Sequence, residues 1–125
     1  MRMNPPTVTH QEKKATVRNG KPVFYEPAAL KDAREKLTAH LWSNRPIDPI
    51  TGPVTLKVMW LFPRGRHKDG EYKITKPDTD NLQKLLKDCM TDCGYWNDDA
   101  QVCSEHVEKR WAEHAGIYIE VEGEE

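Results

Sequence analysis

The sequence of 125 residues lacks any apolar run near the roughly 20 residues that a membrane-spanning helix needs. Its first residues are polar and contain two prolines, which is not the pattern of a secretory signal peptide. Internal repeats and low-complexity segments are also absent. We therefore expect one domain over residues 1–125, with an extended basic arm at 1–27, an acidic tail at 120–125 and no membrane association.

Cysteine is scarce, with three residues in the chain: Cys89, Cys93 and Cys103. An odd, small number without a secretory signal indicates free thiols in a reducing compartment, so we expect a cytoplasmic protein. Together with His106, these cysteines form a pattern that a zinc-binding interaction module could use. Because Cys89 and Cys93 fall on the apolar side of a predicted helix, we favour buried or inert thiols.

An excess of charge of one sign is missing as well, since 19 Lys and Arg face 20 Asp and Glu. A net charge of −1 is unusual for a nucleic-acid binder, but the two signs are segregated. Residues 1–76 hold 15 basic and 7 acidic side chains, whereas residues 77–125 hold 4 and 13. This division indicates a basic surface for a polyanion beside an acidic surface for metal ions, although the acidic tail is more simply a solvated end.

Hydrophobic periodicity predicts two helices and three longer strands. The helices are predicted at 28–42 and 80–93, and the strands at 54–62, 101–111 and 117–122. A short strand or extended arm is predicted at 22–25, and a basic loop at 63–76. The strand at 54–62 is partly apolar on both faces, so we expect both faces to be covered.

The second predicted helix has one polar strip and one apolar face. At about 100° per residue, Asp80, Lys84 and Asp88 line the strip. The opposite face carries the apolar side chains Leu82, Leu85, Leu86, Cys89 and Cys93. The strip therefore faces away from the expected core.

Two pairs of carboxylates flank this helix. Asp78 and Asp80 lie at its start, where N-capping and the helix dipole favour a carboxylate. Capping does not explain two acids one residue apart with Lys84 a turn later, nor the second pair, Asp98 and Asp99. The pairs can meet only if the following strand runs beside the start of the helix.

The stretch 78–102 carries a specific pattern. It reads Asp78-Thr79-Asp80-Asn81-Leu82-Gln83-Lys84, then Asp88, then Trp96-Asn97-Asp98-Asp99-Ala100-Gln101-Val102. This pattern resembles the RusA family of Holliday junction resolvases, crossover-junction endodeoxyribonucleases of bacteria, phages and prophages. The early segment Asn4-Pro5-Pro6-Thr7 is similar too, so the resemblance covers most of the chain. It departs from the family in a short segment before Pro5 and a long basic loop that contains Asp69 and Glu71.

The resemblance implies an α+β (two-layer α/β) fold, in which a small mixed β-sheet packs with two main helices, and a homodimer. It implies that Asp78, Asp80, Asp99 and Lys84 are catalytic, and that Asp98 is the adjacent acid. Mg²⁺ would be held by Asp78, Asp80, Asp98 and Asp99, since hard cations prefer oxygen ligands. Lys84 would stabilise the transition state, the alternative being an ion pair with Asp80 or Asp88. We expect Asp88 to be structural.

The resemblance further implies Mg²⁺-dependent resolution of four-way DNA junctions by paired symmetric nicks, in recombination and repair, without a small-molecule cofactor besides the metal. Basic side chains would bind the DNA backbone. The candidates are Arg64, Arg66, Lys68, Lys73, Lys76, Lys13, Lys14 and Arg18. The alternatives are a nuclease for other branched DNA such as flaps, a non-catalytic binder of DNA structures, and the zinc-binding module.

Overall fold

The computed structural model describes residues 1–9 and 28–124, together with the backbone of residues 14–18 and 21–25. The elements are β1 (Lys14–Arg18), β2 (Lys21–Tyr25), α1 (Ala28–Ser43), β3 (Val54–Pro63), α2 (Thr79–Asp92), a 3-10 helix (Asp99–Gln101), β4 (Val102–Ala112) and β5 (Gly116–Gly123). The two predicted helices and three longer predicted strands are confirmed to within one residue at each end. Periodicity succeeds for α1, α2 and β3 because each of them has one clearly buried face.

The main sheet is mixed and has three strands in the order β4-β3-β5. β4 runs parallel to β3, with Pro63 opposite Ala112, and β5 runs antiparallel, with Val54 opposite Gly123. β4 and β5 follow each other along the chain, yet the central strand β3 separates them. A small mixed sheet with two helices confirms the predicted α+β fold.

The core lies between the two helices and one face of β3. That face consists of Val54, Leu56, Val58, Trp60 and Phe62, all buried. The helices contribute Leu30, Ala33, Leu37 and Leu41 from α1 and Leu82, Leu85, Leu86, Cys89 and Met90 from α2. On the other face of β3, Lys57 is exposed while Met59 and Leu61 are half-buried. The expectation that both faces are covered is therefore met only in part.

The end of α2 is fixed to its neighbours. Gly94 follows the helix with φ near +80°, a conformation that side chains with a Cβ rarely adopt. The Tyr95 hydroxyl donates a hydrogen bond to the Leu41 carbonyl at 2.7 Å, and the Trp96 indole donates one to Thr91 Oγ1 at 2.7 Å. These bonds hold the chain after α2 against both helices, before it turns into β4.

The basic loop at 63–76, which comes after β3 in the chain, lies along β4. The amides of Gly70 and Lys73 donate to the carbonyls of Trp111 and Lys109, at 2.8 and 3.0 Å. Asp69 Oδ1 accepts a hydrogen bond from the Glu113 amide at 2.9 Å. Asp69, one of the acids that departs from the family pattern, thus helps to hold the loop on the sheet.

The N-terminal region contributes a second, two-stranded sheet. β1 and β2 pair antiparallel, with Lys14 opposite Tyr25, so the short strand predicted at 22–25 is confirmed. The Met1 amino group donates to the Ile117 carbonyl at 2.9 Å, and the Ile117 amide donates to the Met1 carbonyl at 3.0 Å. The first residues therefore extend the edge of β5.

Within residues 28–124, neither helix is long and apolar enough to cross a membrane.

Candidate active site

The start of α2 carries two carboxylates that make few hydrogen bonds to the helix itself. Asp78 is the N-cap residue, with extended backbone, but its side chain makes no capping hydrogen bond within the described chain. Asp80 Oδ1 accepts a hydrogen bond from the adjacent Asn81 amide at 3.0 Å. Both side chains are exposed. Capping therefore does not account for the Asp78 carboxylate, which is open to an external partner.

The second acidic pair lies in a tightly bonded turn. Asp98 Oδ1 accepts from the Ala100 amide at 2.9 Å, and Gln101 Oε1 accepts from the Asp98 amide at 3.0 Å, which forms a capping box. Gln101 Nε2 also donates to the carbonyls of Ile50 and Gly52, at 2.8 and 3.0 Å. The turn thus fixes Asp98, while Asp99 has no side-chain hydrogen bond to any residue that the structure describes.

One open cavity of about 460 Å³ brings the two acidic segments together. It lies between α2, the 3-10 helix and β4, and its lining includes Asp80, Lys84 and Asp99. The parallel pairing of β4 with β3 contributes to this, because β4 and the 3-10 helix before it both lie against α2. From the sequence, the two acidic pairs can come together only if the strand after Asp98 and Asp99 runs beside the helix, and β4 does so.

Asp78, Asp88 and Asp98 are not part of this cavity. Asp88 and Asp98 line a neighbouring cavity of about 690 Å³, which Asp99 also borders. Across residues 1–9 and 28–124, no three His, Cys, Asp or Glu side chains gather closely enough to hold a metal ion. The structure thus joins Asp80 to Asp99 but does not gather all four acids predicted to bind metal.

Lys84 projects from the polar strip of α2 into the cavity and is exposed. It forms no hydrogen bond or ion pair with any residue in the described part of the chain, so neither the alternative pair with Asp80 nor that with Asp88 is present. Its ammonium group is free to contact a substrate.

The cavity also contains three residues that the sequence did not single out: Gln83, Lys87 and Glu105. Gln83 is buried and links the core to the cavity, because Trp60 Nε1 donates to Gln83 Oε1 at 2.7 Å and Gln83 Nε2 donates to Glu105 Oε2 at 2.8 Å. Lys87 Nζ donates to Glu105 Oε1 at 3.2 Å. Helical spacing from Asp80 could have identified Gln83 and Lys87, but Glu105 lies on a different element.

The basic loop supplies most of the residues predicted to bind DNA. Arg64, Arg66, Lys68 and Lys76 are exposed. Lys73 differs from these four residues, because it is only 8% exposed and its ammonium donates to Thr75 Oγ1 and to the Lys76 carbonyl. Its ammonium is therefore already bound within the protein.

Three further predicted contacts lie in the N-terminal arm. Lys14 and Arg18 are in β1, where the structure describes the backbone alone, and Lys13 lies outside the described residues. Their place relative to the cavity stays a prediction.

The cysteines do not form the alternative zinc site. Cys89 and Cys93 are 0% and 3% exposed, and burial raises the pKa of both thiols, which disfavours the thiolate that zinc requires. Cys103 is exposed on β4. The prediction of buried thiols is confirmed for Cys89 and Cys93, whereas Cys103 is accessible.

Comparison with known proteins finds one family model and two relatives that match nearly the whole chain. Residues 4–122 match the family described as Endodeoxyribonuclease RusA. The chain is 31% identical over 116 residues to the crossover junction endodeoxyribonuclease rusA of Lactococcus phage r1t, a match that covers 90% of this chain and 87% of that relative. It is also 29% identical over 118 residues to the uncharacterized protein YqaN of Bacillus subtilis (strain 168), covering 85% and 82% of the two chains.

Proposed function

The chain belongs to the RusA family of endodeoxyribonucleases, and from this membership we propose that it resolves four-way DNA junctions by paired nicks that require Mg²⁺. Membership makes it a junction-resolving nuclease, a hydrolase acting on DNA. The observation that supports the finer proposal most strongly is the convergence of Asp80, Lys84 and Asp99 on one cavity. Carboxylates and an ammonium group are the side chains that metal-assisted phosphodiester hydrolysis needs.

The donor chemistry at this site fits a hard divalent cation. We propose that Asp78, Asp80 and Asp99 bind Mg²⁺ and that Asp98, whose carboxylate already accepts a hydrogen bond from its own turn, binds it or holds Asp99 in place. The Asp78 carboxylate makes no capping bond within the described chain, which suits a ligand role. When bound, the cation would make water nucleophilic and stabilise the departing 3′ oxygen. Without it, the carboxylates would repel one another and the phosphate.

Lys84 is the proposed partner of the scissile phosphate. Its ammonium projects into the cavity without a competing carboxylate among the described residues, so it can donate hydrogen bonds to the non-bridging phosphate oxygens. Negative charge grows on these oxygens during the attack, and a fixed positive charge stabilises that state more than the ground state. Asp80 and Asp99 orient the attacking water from opposite elements.

DNA binding is assigned to the exposed basic loop and to the N-terminal arm. Arg64, Arg66, Lys68 and Lys76 contact phosphates and recognise the branched geometry of the backbone. A four-way junction has approximate two-fold symmetry, so two opposed nicks are best made by a homodimer with one site per chain. We propose this dimer, each chain a single domain, and we place the reaction in the cytoplasm, where DNA and reduced thiols occur together.

A cleavage assay on matched substrates tests the proposal. The purified chain should cut a mobile four-way junction in Mg²⁺ at two symmetric positions, should cut a flap and a linear duplex of the same sequence far more slowly, and should stop when a chelator is added. Equal or faster cutting of the flap would instead assign the enzyme to other branched DNA. Cleavage that persists in chelator would contradict the proposed metal dependence.

A further inference from the structure

Two lysines hold the segment that leads into α2. Lys109 Nζ donates to the carbonyls of Thr75 and Pro77, each at 2.7 Å. Lys73 Nζ donates to the carbonyl between them, that of Lys76, also at 2.7 Å, and to Thr75 Oγ1. Three consecutive carbonyls immediately before Asp78 are therefore bound by two ammonium groups.

The two lysines reach this segment from fixed positions. Lys109 belongs to β4, where it lies opposite Trp60 of the buried central strand. The Lys73 ammonium lies 4.5 Å from the centre of the Trp111 ring and 5.1 Å from that of Phe62. Burial lowers the pKa of Lys73, and the positive charge of Lys109 lowers it further. Bringing two cations together in a partly buried place is costly, so a purely structural turn would be more simply made with neutral donors.

The held segment determines where the first acidic pair lies. The Pro77 carbonyl, which Lys109 binds, belongs to the peptide group shared with Asp78. The Asp78 carbonyl in turn accepts the hydrogen bond of the Leu82 amide at 3.1 Å, so α2 begins at this point. Because the Asp78 side chain makes no capping bond of its own within the described chain, the backbone is what orients it.

We propose that Lys73 and Lys109 are positioning residues that set the geometry of Asp78 and Asp80 and thereby the affinity of the site for its divalent cation. This inference rests on the proposed function, in which these two aspartates are ligands. Neither lysine touches substrate; both act through the segment at 75–77. The cation site would thus be tied to the sheet through β4, the strand whose first residues follow directly from the turn that carries Asp99.

The test measures cation binding directly and separately from cleavage. In the full chain, Lys109→Met keeps the aliphatic stem and removes the donors. Calorimetric titration with Mg²⁺ should show about a tenfold or greater loss of affinity, the range found when partners of metal ligands are removed. Junction affinity without divalent cation should be unchanged, and the cleavage rate should recover as the Mg²⁺ concentration is raised. The matched control is Lys57→Met, which removes an exposed lysine of β3 and should alter neither quantity.

Unchanged Mg²⁺ affinity in Lys109→Met would overturn the inference, as would a lost rate that high Mg²⁺ does not restore. If Lys109→Met does not fold, Lys73→Met and the donor-retaining Lys109→Arg decide: the first should weaken Mg²⁺ binding and the second should weaken it less. Failure of the proposed function is distinguishable, because it would appear as absence of junction cleavage by the wild-type chain and by Lys57→Met.

Discussion

Gln83 is a buried amide on the inner side of α2, only 2% exposed. It accepts the indole hydrogen of Trp60, which is itself fully buried, and it donates to Glu105 in the cavity. A buried donor without an acceptor is expensive, so this amide ties the position of α2 to that of β3. Helical spacing places Gln83 near Asp80 but does not reveal this tie, because its partners Trp60 and Glu105 lie on other elements.

Replacing Gln83 with Leu should therefore destabilise the fold although it adds apolar surface. The Trp60 N–H would be left unpaired, which costs about 1–3 kcal/mol in the free energy of unfolding, measured by chemical denaturation. In a Trp60→Phe background the same replacement should cost clearly less, because the unpaired donor is gone. Equal losses in the two backgrounds would show that this hydrogen bond does not hold the two elements together.

The three thiols should react in two classes. Cys103 is exposed, whereas burial excludes reagents from Cys89 and Cys93 and raises their pKa, which keeps them protonated. A thiol-specific chromogenic reagent at neutral pH should modify one thiol per native chain rapidly, and all three in denaturant. Cys103→Ser should abolish the rapid phase. Rapid modification of two or more thiols in the native wild-type chain would contradict the buried positions.

The predictable residues of the site are those whose type and spacing resist a purely structural explanation. Asp78, Asp80 and Lys84 stood out because capping and helical ion pairs did not account for them, and the structure leaves Lys84 unpaired within the described chain. Lys73 was expected to be exposed because its loop is rich in basic residues, but it is buried. Its burial depends on Phe62, Trp111 and Lys109, which are brought to it by the fold.

At the scale of the elements, the order of strands in the sheet was beyond what the sequence could predict. Alternation defines which face of a strand is buried, but it does not say which strand lies beside it. β4 and β5 are consecutive in sequence, and yet both pair with β3, one parallel and one antiparallel. The parallel pairing places the start of β4, and Asp99 before it, against α2, so the site depends on a feature that periodicity leaves open.

The basic loop is a surface held by β4, through the bridge between Tyr72 and Arg110 and the hydrogen bonds at Gly70 and Lys73. Arg66 and Lys68 are exposed on it, so each should neutralise a phosphate. The double variant Arg66→Ala/Lys68→Ala should lower the slope of log affinity against log salt concentration for junction binding by about two. The measurement is a titration of labelled junction at several salt concentrations without divalent cation.

The matched control for this loop is Lys31→Ala/Lys36→Ala, which removes two exposed lysines from α1. It should leave the slope unchanged. A slope that falls equally in the two double variants would mean that DNA binding is spread over the surface and does not use the loop.

The net charge of −1 is the sum of a basic first part and an acidic second part of the chain, and basic and acidic side chains also occupy separate places in the fold. Exposed basic residues of the loop at 63–76 precede the segment that enters α2, and the acidic side chains Asp80 and Asp99 line the cavity beside it. Phosphate binding and cation binding need opposite charges close together. The near-neutral total is thus compatible with a DNA substrate.

Two-fold symmetry of the substrate predicts two-fold symmetry of the enzyme. Sedimentation equilibrium without DNA should give twice the chain mass of 14.5 kDa, and the two nicks in one junction should appear at symmetry-related positions. A chain that sediments at its single mass over the full concentration range and nicks one strand per junction would contradict the proposed dimer.

Cleavage of a mobile four-way junction in Mg²⁺ by the variant Asp80→Asn tests whether Asp80 belongs to the active site. Asparagine keeps the shape of the side chain but removes its charge, so the rate should fall by more than about a hundredfold, because losing a ligand should cost more than the roughly 10–100-fold that losing a ligand's hydrogen-bonding partner costs. Junction binding should be kept or tightened, because repulsion of the phosphates is reduced, and Asp48→Asn, an exposed aspartate in the loop before β3, should behave as wild type. Cleavage by Asp80→Asn at the wild-type rate would show that the active site lies elsewhere.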